Sequence, residues 1–302
     1  MKVLVLIMSA DVEPSVRNER IIFDTYVKYY NDNKNMFKHE YDFIAYKGNR
    51  TEVYKDHNIL YLTSPDDTKN TFNKTIEAFN YIKDFEFDFI IRVNISTYIN
   101  MFILDSYIEQ FNKDIIYCNM ICTYYKSSLY HNEMFPRGDA YIIHKELFTN
   151  ILNYYNTFNI YDVIDDGVDI TDDSLFGIIL SNYFNHQTHN HIKLLEYSFI
   201  PYTIDNLDTF LIKKGALVIF SRLKTVPIDE GYSGYSWDDN GYRLDDVKKF
   251  KILNSYIYNI KNVKSNIIFN NGTDDKFVID YNNSLHTISF NNLVNLLNMN
   301  TN

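Results

Sequence analysis

The sequence is poor in the residues that crosslink or break a chain, because its 302 residues include 2 cysteines, 5 prolines and 9 glycines. Cys118 and Cys122 lie on one apolar run, without a second cysteine pair or a nearby histidine. A disulfide framework or a zinc site needs more ligands than these two. We therefore expect both cysteines to be small buried apolar side chains.

The chain also lacks an excess of positive charge. Its 29 Lys and Arg residues stand against 39 Asp and Glu residues, for a net charge of −10. Nucleic acids and anionic membranes attract basic surfaces, so broad binding of either is excluded and any phosphate site must be local. The apolar run at residues 3–10 is too short for a membrane span and lacks the features of a secretory signal. The sequence therefore predicts a cytoplasmic protein, in the host cytoplasm if the chain is viral.

Hydrophobic residues make up 46% of the chain, enough for one large α/β domain or two ordinary ones. Short apolar runs alternate with amphipathic helical patterns. The predicted strands are residues 3–8, 42–46, 59–62, 87–94, 115–122, 140–143 and 216–220. The predicted helices are residues 14–30, 71–83 and 103–111, with another that begins near residue 173. This alternation predicts an α/β fold whose mostly parallel, Rossmann-like central sheet is flanked by helices.

The character of the sequence changes after about residue 225. Residues 230–242 are rich in Gly, Ser, Tyr and Asp and predict a loop, and residues 267–269 and 277–279 predict a hairpin around Asn270-Asn271-Gly272. We expect a main domain at residues 1–225 and a small C-terminal appendage at residues 226–302, packed on the main domain.

Four motifs follow one another in the predicted main domain. They are Asp66, Asn70 and Lys74-Thr75 before the fourth strand; residues 92–100, Arg-Val-Asn-Ile-Ser-Thr-Tyr-Ile-Asn; residues 136–143, Pro-Arg-Gly-Asp-Ala-Tyr-Ile-Ile; and residues 172–177, Asp-Asp-Ser-Leu-Phe-Gly. In order and spacing they resemble the β-1,3-galactosyltransferase and Fringe-like branch of the GT-A glycosyltransferases, including bacterial and viral relatives. The resemblance covers roughly residues 1–225 and implies the GT-A form of the α/β fold. It also implies an enzyme that transfers a sugar from a nucleotide sugar, with UDP the expected nucleotide, to a glycan or other hydroxyl acceptor.

The resemblance implies that Asp173 is the general base of an inverting transfer, the group that takes the proton from the attacking hydroxyl. Asp172 is its nearest rival, and repulsion between the two carboxylates would raise one pKa. The alternative is that both are first-turn helix acids stabilised by the helix dipole.

The second motif departs from the family, which has an acidic Asp-x-Asp pair where this chain has Asn94 and Ser96. Those acids hold Mn²⁺ or Mg²⁺, and neutral oxygens would hold such a cation weakly, through water at best. We therefore expect Arg222, Lys224 and Arg243 to stabilise the leaving diphosphate in place of the metal or beside it. The alternative is that these cations are solvated surface charges.

In open α/β sheets, ligands bind beyond the carboxyl ends of the strands. By analogy with the fold, the nucleotide is expected against the ends of the first two strands. The predicted nucleotide-sugar-binding residues are Met8, Ser9, Ala10, Lys47, Gly48, Lys74, Arg92, Asn94, Ser96, Gly138, Arg222, Lys224 and Arg243. Tyr232, Tyr235 and Trp237 in the Gly-rich loop are either a lid that stacks on the sugar or a plain surface loop.

Two other function classes remain open at this point. One is a metal-dependent hydrolase or phosphotransferase that uses the acid cluster Asp162, Asp165, Asp166, Asp169, Asp172 and Asp173. The other is a non-catalytic module with a glycosyltransferase-like fold, which would account for the missing Asp-x-Asp acids.

Overall fold

The computed structural model describes residues 1–67, 69–124, 127–164, 171–200, 215, 217–224, 244–259, 267–269, 276–281 and 284–289. The α-helices are α1 (Ser15–Ile22), α2 (Lys28–Asp32), α3 (Thr71–Ile82), α4 (Met101–Tyr107), α5 (Lys145–Asn156), α6 (Asp172–Tyr183) and α7 (Leu244–Asn259). No helix within these described ranges is both long and apolar enough to cross a membrane.

The strands form one large sheet and three small ones. The strands are β1 (Lys2–Met8), β2 (Glu40–Lys47), β3 (Tyr54–Asp56), β4 (Ile59–Tyr61), β5 (Phe89–Asn94), β6 (Thr97–Ile99), β7 (Ile116–Cys118), β8 (Ile121–Thr123), β9 (Met134–Pro136), β10 (Ala140–His144), β11 (Ile192–Leu194), β12 (Tyr197–Phe199), β13 (Phe220–Arg222), β14 (Ile267–Phe269), β15 (Lys276–Tyr281) and β16 (Ser284–Ser289).

The large sheet has eight strands in the order β11-β7-β10-β5-β1-β2-β4-β3. The pairs β11-β7, β5-β1, β1-β2 and β2-β4 are parallel, whereas β10 and β3 run antiparallel to their neighbours. All strands except β3 and β10 therefore point the same way. The predicted α/β fold with a mostly parallel central sheet flanked by helices is confirmed.

Both faces of this sheet are covered, which is why its central strands are apolar almost throughout. On β1, the side chains of Leu4 and Leu6 face a core shared with α3, α5 and α6. Val3 and Val5, which alternate with them, face a second core that includes residues of α1, α4 and α7. The twofold alternation of a strand thus supplies one residue set to each core.

Three strand ends meet at the carboxyl edge of this sheet. In the registers of β1 with β2 and with β5, Met8 lies beside both Tyr46 and Asn94. After Asn94 the chain turns and leaves the large sheet, because β6 pairs instead with β13 in a three-stranded sheet. The turn at residues 95–96 therefore joins the two sheets, at the edge where the sequence analysis predicts a ligand.

Three predicted elements need correction. The predicted strand 115–122 is two strands, β7 and β8, because Asn119 turns its amide towards β10: its backbone N–H donates to the Ala140 carbonyl at 3.2 Å, and its Oδ1 accepts from the Ala140 N–H at 3.1 Å. The predicted strand 216–220 is β13, which begins only at Phe220. The predicted helix 14–30 is α1, a π-helical turn at Phe23–Val27 and α2, with non-helical backbone angles at Thr25.

The C-terminal hairpin is confirmed, since β14 and β15 pair antiparallel and β16 extends them to three strands. Helix α7 packs on α1 and places Phe250, Leu253 and Ile257 in the second core. The division of the chain at residues 225 and 226 stays a prediction. The predicted loop 230–242, with Tyr232, Tyr235 and Trp237, lies outside the described residues.

Candidate active site

Two adjacent carboxylates open helix α6. Thr171 caps the helix: its Oγ1 accepts from the Ser174 N–H at 3.3 Å, and the Ser174 Oγ accepts from the Thr171 N–H at 3.0 Å. This reciprocal capping box fixes the first helical turn. Asp172 and Asp173 occupy that turn and are both half-buried. They are thus held rigidly yet remain within reach of a ligand.

The backbone of Gly138 lies against these two carboxylates. Its N–H donates to Asp173. A Cβ atom at this position would lie 2.2 Å from Oδ1 of Asp173 and 2.6 Å from Nη1 of Arg92. Only a residue without a side chain permits this approach, so the glycine is required by the packing of the site.

Arg92 contacts the carboxylate pair from the central sheet. It lies on β5 and is 1% exposed. Its Nη2 donates to Oδ2 of Asp172 at 2.7 Å, and its Nη1 donates to the carbonyl of Gly138. Its Nε lies 3.4 Å from the hydroxyl of Tyr46, and the guanidinium carbon lies 5.8 Å from the ring centre of Tyr141. A buried charge needs such partners on every side.

Burial raises the pKa of Asp173 to about 7, and the negative charge of Asp172 adds to the rise. Arg92 and the Gly138 N–H act in the opposite direction but do not outweigh these effects. A carboxylate with such a pKa exists in both protonation states at neutral pH. That is the property of a group that accepts a proton during a reaction.

Lys74, on α3, joins the ends of β1 and β2. Its Nζ donates to the carbonyl of Ser9 and to Oδ1 of Asp66, both at 2.7 Å. The same Asp66 oxygen accepts from the N–H of Gly48 at 2.8 Å. Burial lowers the pKa of Lys74, and Asp66 offsets this only in part. The lysine therefore holds together the backbone segments where a nucleotide is expected.

Lys47, at the end of β2, is also buried and paired. Its Nζ lies 3.0 Å from Oε1 of Glu19 and 3.1 Å from Oδ1 of Asp11. The Ser9 hydroxyl donates to Oε2 of Glu19 at 2.6 Å. Burial acts to lower the pKa of Lys47, but the two carboxylates outweigh it and the net pKa is raised. Asp11 also pairs with Arg50 at the outer rim.

The turn after β5 does not provide the oxygen ligands of a divalent cation. Oδ1 of Asn94 accepts from the N–H and the hydroxyl of Ser96, at 3.3 and 3.2 Å, so this oxygen closes the turn. Mg²⁺ and Mn²⁺ prefer several oxygen ligands, carboxylates foremost. In the described part of the chain, no group of three or more His, Cys, Asp or Glu residues is placed to hold a metal ion. The residues at this position therefore do not fit a divalent cation of the kind that an Asp-x-Asp pair holds.

A buried carboxylate that the sequence did not single out lies beside this turn. The carbonyl of Asp139 accepts from the N–H of Asn94 at 2.9 Å, and its carboxylate pairs with Arg222 and lies 3.7 Å from Nε of Arg137. The N–H of Leu223 donates to the Ser96 carbonyl at 2.8 Å, which brings the buried residues 222–224 to the turn. The only sequence signal for Asp139 was its place directly after Gly138 in the third motif.

The structure gathers most of the predicted site residues at the carboxyl edge of the sheet. Ala10 lies just after β1 and is half-buried, and Lys224 lies just after β13. The gathered residues are Met8, Ser9, Lys47, Gly48, Lys74, Arg92, Asn94, Ser96, Gly138, Asp172, Asp173 and Arg222. A small cavity beside the two carboxylates has room for about one water molecule. It is lined by Phe72, Thr75, Ile76, Arg92, Pro136, Gly138, Tyr141, Asp172, Asp173 and Phe176.

Some predicted residues are elsewhere or outside the described ranges. Asp162 lies on a separate 3₁₀ turn, where its Oδ1 accepts from the side chain of Asn159 at 2.8 Å. Arg243 is outside the described residues, as are three acids of the predicted cluster, Asp165, Asp166 and Asp169. Cys118 is buried and Cys122 is half-buried, and neither forms a disulfide.

No family model matches the sequence, and no curated protein matches it significantly. Among solved structures, the chain is similar to the galactosyltransferase LgtC in complex with donor and acceptor sugar analogues, at 10% identity and a TM-score of 0.42 over 83% of this chain and 95% of that one.

It is also similar to a glycosyltransferase involved in glycosylation of the major capsid of PBCV-1, at 8% identity and a TM-score of 0.38 over 82% of this chain and 99% of that one. A third similarity is to the 2-C-methyl-D-erythritol 4-phosphate cytidylyltransferase of Francisella tularensis, at 12% identity and a TM-score of 0.33 over 56% of this chain and 85% of that one. At these identities and scores, the similarities assign neither a family nor an activity to this chain.

Proposed function

We propose that this protein is an inverting glycosyltransferase that moves a sugar from a nucleotide sugar to a hydroxyl group of an acceptor. One observation carries the proposal: a rigid, half-buried carboxylate with a near-neutral pKa, Asp173, opens helix α6 against Gly138, next to the Arg92–Asp172 ion pair. The four motifs that resemble the β-1,3-galactosyltransferase and Fringe-like branch meet at this same edge. We assign the chain to that GT-A branch as part of the proposal, as a bacterial or viral relative that acts in the cytoplasm.

Asp173 acts as the general base. The acceptor oxygen forms a bond to the anomeric carbon while its proton passes to the Asp173 carboxylate. The bond between the anomeric carbon and the diphosphate oxygen breaks, and its electron pair leaves with the nucleoside diphosphate. Attack and departure on opposite faces of the sugar invert the anomeric centre. The proton on Asp173 is then released to solvent, which a pKa near 7 permits.

The donor binds with its nucleoside against the ends of β1 and β2 and its diphosphate near the turn after β5. Next to that turn, Arg222 pairs with Asp139, and Nε of Arg137 lies 3.7 Å from the same carboxylate. Lys224 lies just after Arg222 and is buried. We propose that these cations stabilise the leaving diphosphate and that UDP is the nucleotide.

A thermal-shift panel tests the donor site. UDP, GDP and CMP sugars are each added to the full chain, once with Mn²⁺ and once with a chelator. We expect stabilisation by UDP sugars that is equal in both conditions. No shift with any nucleotide would overturn the enzyme proposal, whereas a shift only with Mn²⁺ would overturn the cationic part alone.

A turnover assay separates the enzyme from a non-catalytic binding module. Release of the nucleoside diphosphate is measured with a panel of glycan acceptors, for the wild type, Asp173→Asn and Asp162→Asn. The last is a matched control, because Asp162 is an exposed acid outside the site. We expect Asp173→Asn to lose at least about 100-fold in rate and the control to keep its activity. Donor binding without turnover in the wild type would indicate the binding module instead.

A further inference from the structure

We propose that Arg92 is a positioning residue that divides the roles of the two carboxylates: its guanidinium pairs with Asp172 and leaves the exchangeable proton to Asp173. The proposal rests on the proposed function of Asp173 as the base. It adds a role for a buried residue of the sheet to which the reaction described above assigns no step.

The contacts of Arg92 with the two carboxylates are unequal. The ion pair is with Asp172, at 2.7 Å, whereas the Asp173 carboxylate lies against the backbone of Gly138. Two adjacent carboxylates repel each other when both are ionised, which favours a proton on one of them. The carboxylate that pairs with a permanent cation is the poorer place for this proton, so it resides on Asp173.

Arg92 cannot move away from this position, because its other donors are also engaged. Nη1 is held by the carbonyl of Gly138, and Nε is directed at the Tyr46 hydroxyl. The backbone of Arg92 is fixed between Leu6 of β1 and Tyr141 of β10. A guanidinium held at three points can orient a carboxylate in a way that a flexible lysine cannot.

Among the described residues, the charged and titratable groups that face the carboxylate pair from the surrounding elements are Tyr46, Lys74, Arg92, Cys122, Tyr124 and Tyr141. Burial raises the pKa of each of these tyrosines and of Cys122. These groups are therefore neutral at the pH of interest. Arg92 and Lys74 remain as the cations, and Lys74 forms its ion pair with Asp66. Arg92 is thus the cation that distinguishes Asp172 from Asp173.

Carboxyl ¹³C NMR of the full chain, labelled at aspartate and recorded without substrate between pH 4 and 9, tests the assignment directly. We expect one signal to titrate near neutral pH and to be missing in Asp173→Asn. In Asp172→Asn the midpoint of this signal should fall by roughly one pH unit or more, because the like charge is gone. In Arg92→Met the two signals should titrate together, each with two steps, since the proton is then shared. Arg92→Lys should restore part of the difference.

The proposal is overturned if the near-neutral signal disappears in Asp172→Asn, or if folded Arg92→Met leaves both titrations unchanged. Circular dichroism melts show which variants fold. If Arg92→Met does not fold, Asp172→Asn and Arg92→Lys decide, because Asp172 is half-buried and lysine retains the charge. The titration needs no donor or acceptor. The expected titration without sugar transfer would refute the proposed function alone, and sugar transfer with the opposite titration would refute the role of Arg92 alone.

Discussion

Replacement of Asp173 by asparagine should make the protein more stable at alkaline pH. Its pKa is about 7 in the folded protein against 3.8 in the unfolded chain, so the folded state binds more protons between these values. The contribution of Asp173 to stability is therefore complete below about pH 4 and is lost as the pH rises through 7. Asparagine has nearly the shape of the protonated acid and does not ionise. Asp173→Asn should keep this contribution at every pH.

The size of the effect follows from the pKa difference. About 3 pH units at roughly 1.36 kcal/mol each give an upper limit of about 4 kcal/mol between pH 4 and pH 8. Asp173 is half-buried and shares its titration with Asp172, so we expect about 2 to 4 kcal/mol. At pH 8 the variant should be more stable than the wild type by this amount, and near pH 4 the two should be similar.

Urea unfolding of the wild type and of Asp173→Asn at intervals of one pH unit from 4 to 8 measures the difference. Asp114→Asn is the matched control, because Asp114 is exposed on the surface before β7. We expect the difference between Asp173→Asn and wild type to grow with pH and that for the control to stay flat. A difference that does not change with pH would refute the argument that burial and Asp172 force a proton onto Asp173.

Three further substitutions test the surroundings of the site. Gly138→Ala places a Cβ within 2.2 Å of a carboxylate oxygen, so a steady-state assay should show a loss of about 100-fold or more in kcat/KM. Lys74→Met leaves the fully buried side chain of Asp66 without its cation, and chemical denaturation should show a loss of about 3 to 5 kcal/mol in unfolding free energy. Asp139→Asn removes the carboxylate that pairs with Arg222. Calorimetry in the presence of a chelator should then show severalfold tighter binding of UDP, and weaker binding would contradict cationic stabilisation.

The sequence predicts the large sheet well because its central strands are buried on both faces. Such strands are continuous apolar runs that few other elements share. Prediction from the sequence fails where a single polar residue ends a strand. Asn119 is an example, because its two hydrogen bonds to Ala140 end β7. Those bonds depend on a strand that lies about 20 residues further along, so no local pattern announces them.

In the candidate site, too, the sequence does not reveal a contact between residues that lie far apart along the chain. The sequence singles out Asp172 and Asp173 as neighbours at a helix start, but their partner Arg92 is 80 residues away. Arg92 lies opposite Tyr141 of β10, and the Tyr141 ring stacks on Phe176 of α6, so this face of the sheet meets the helix that carries Asp172. Side chains alternate along a strand, so a shift of β5 by one residue would turn Arg92 to the other face of the sheet, towards the core with α1 and α7. It would separate the buried guanidinium from Asp172, and breaking a buried ion pair in this way costs about 3 to 5 kcal/mol. The pairing of Arg92 with Asp172 therefore helps to select the register of the sheet, and the same contact serves both folding and the proposed chemistry.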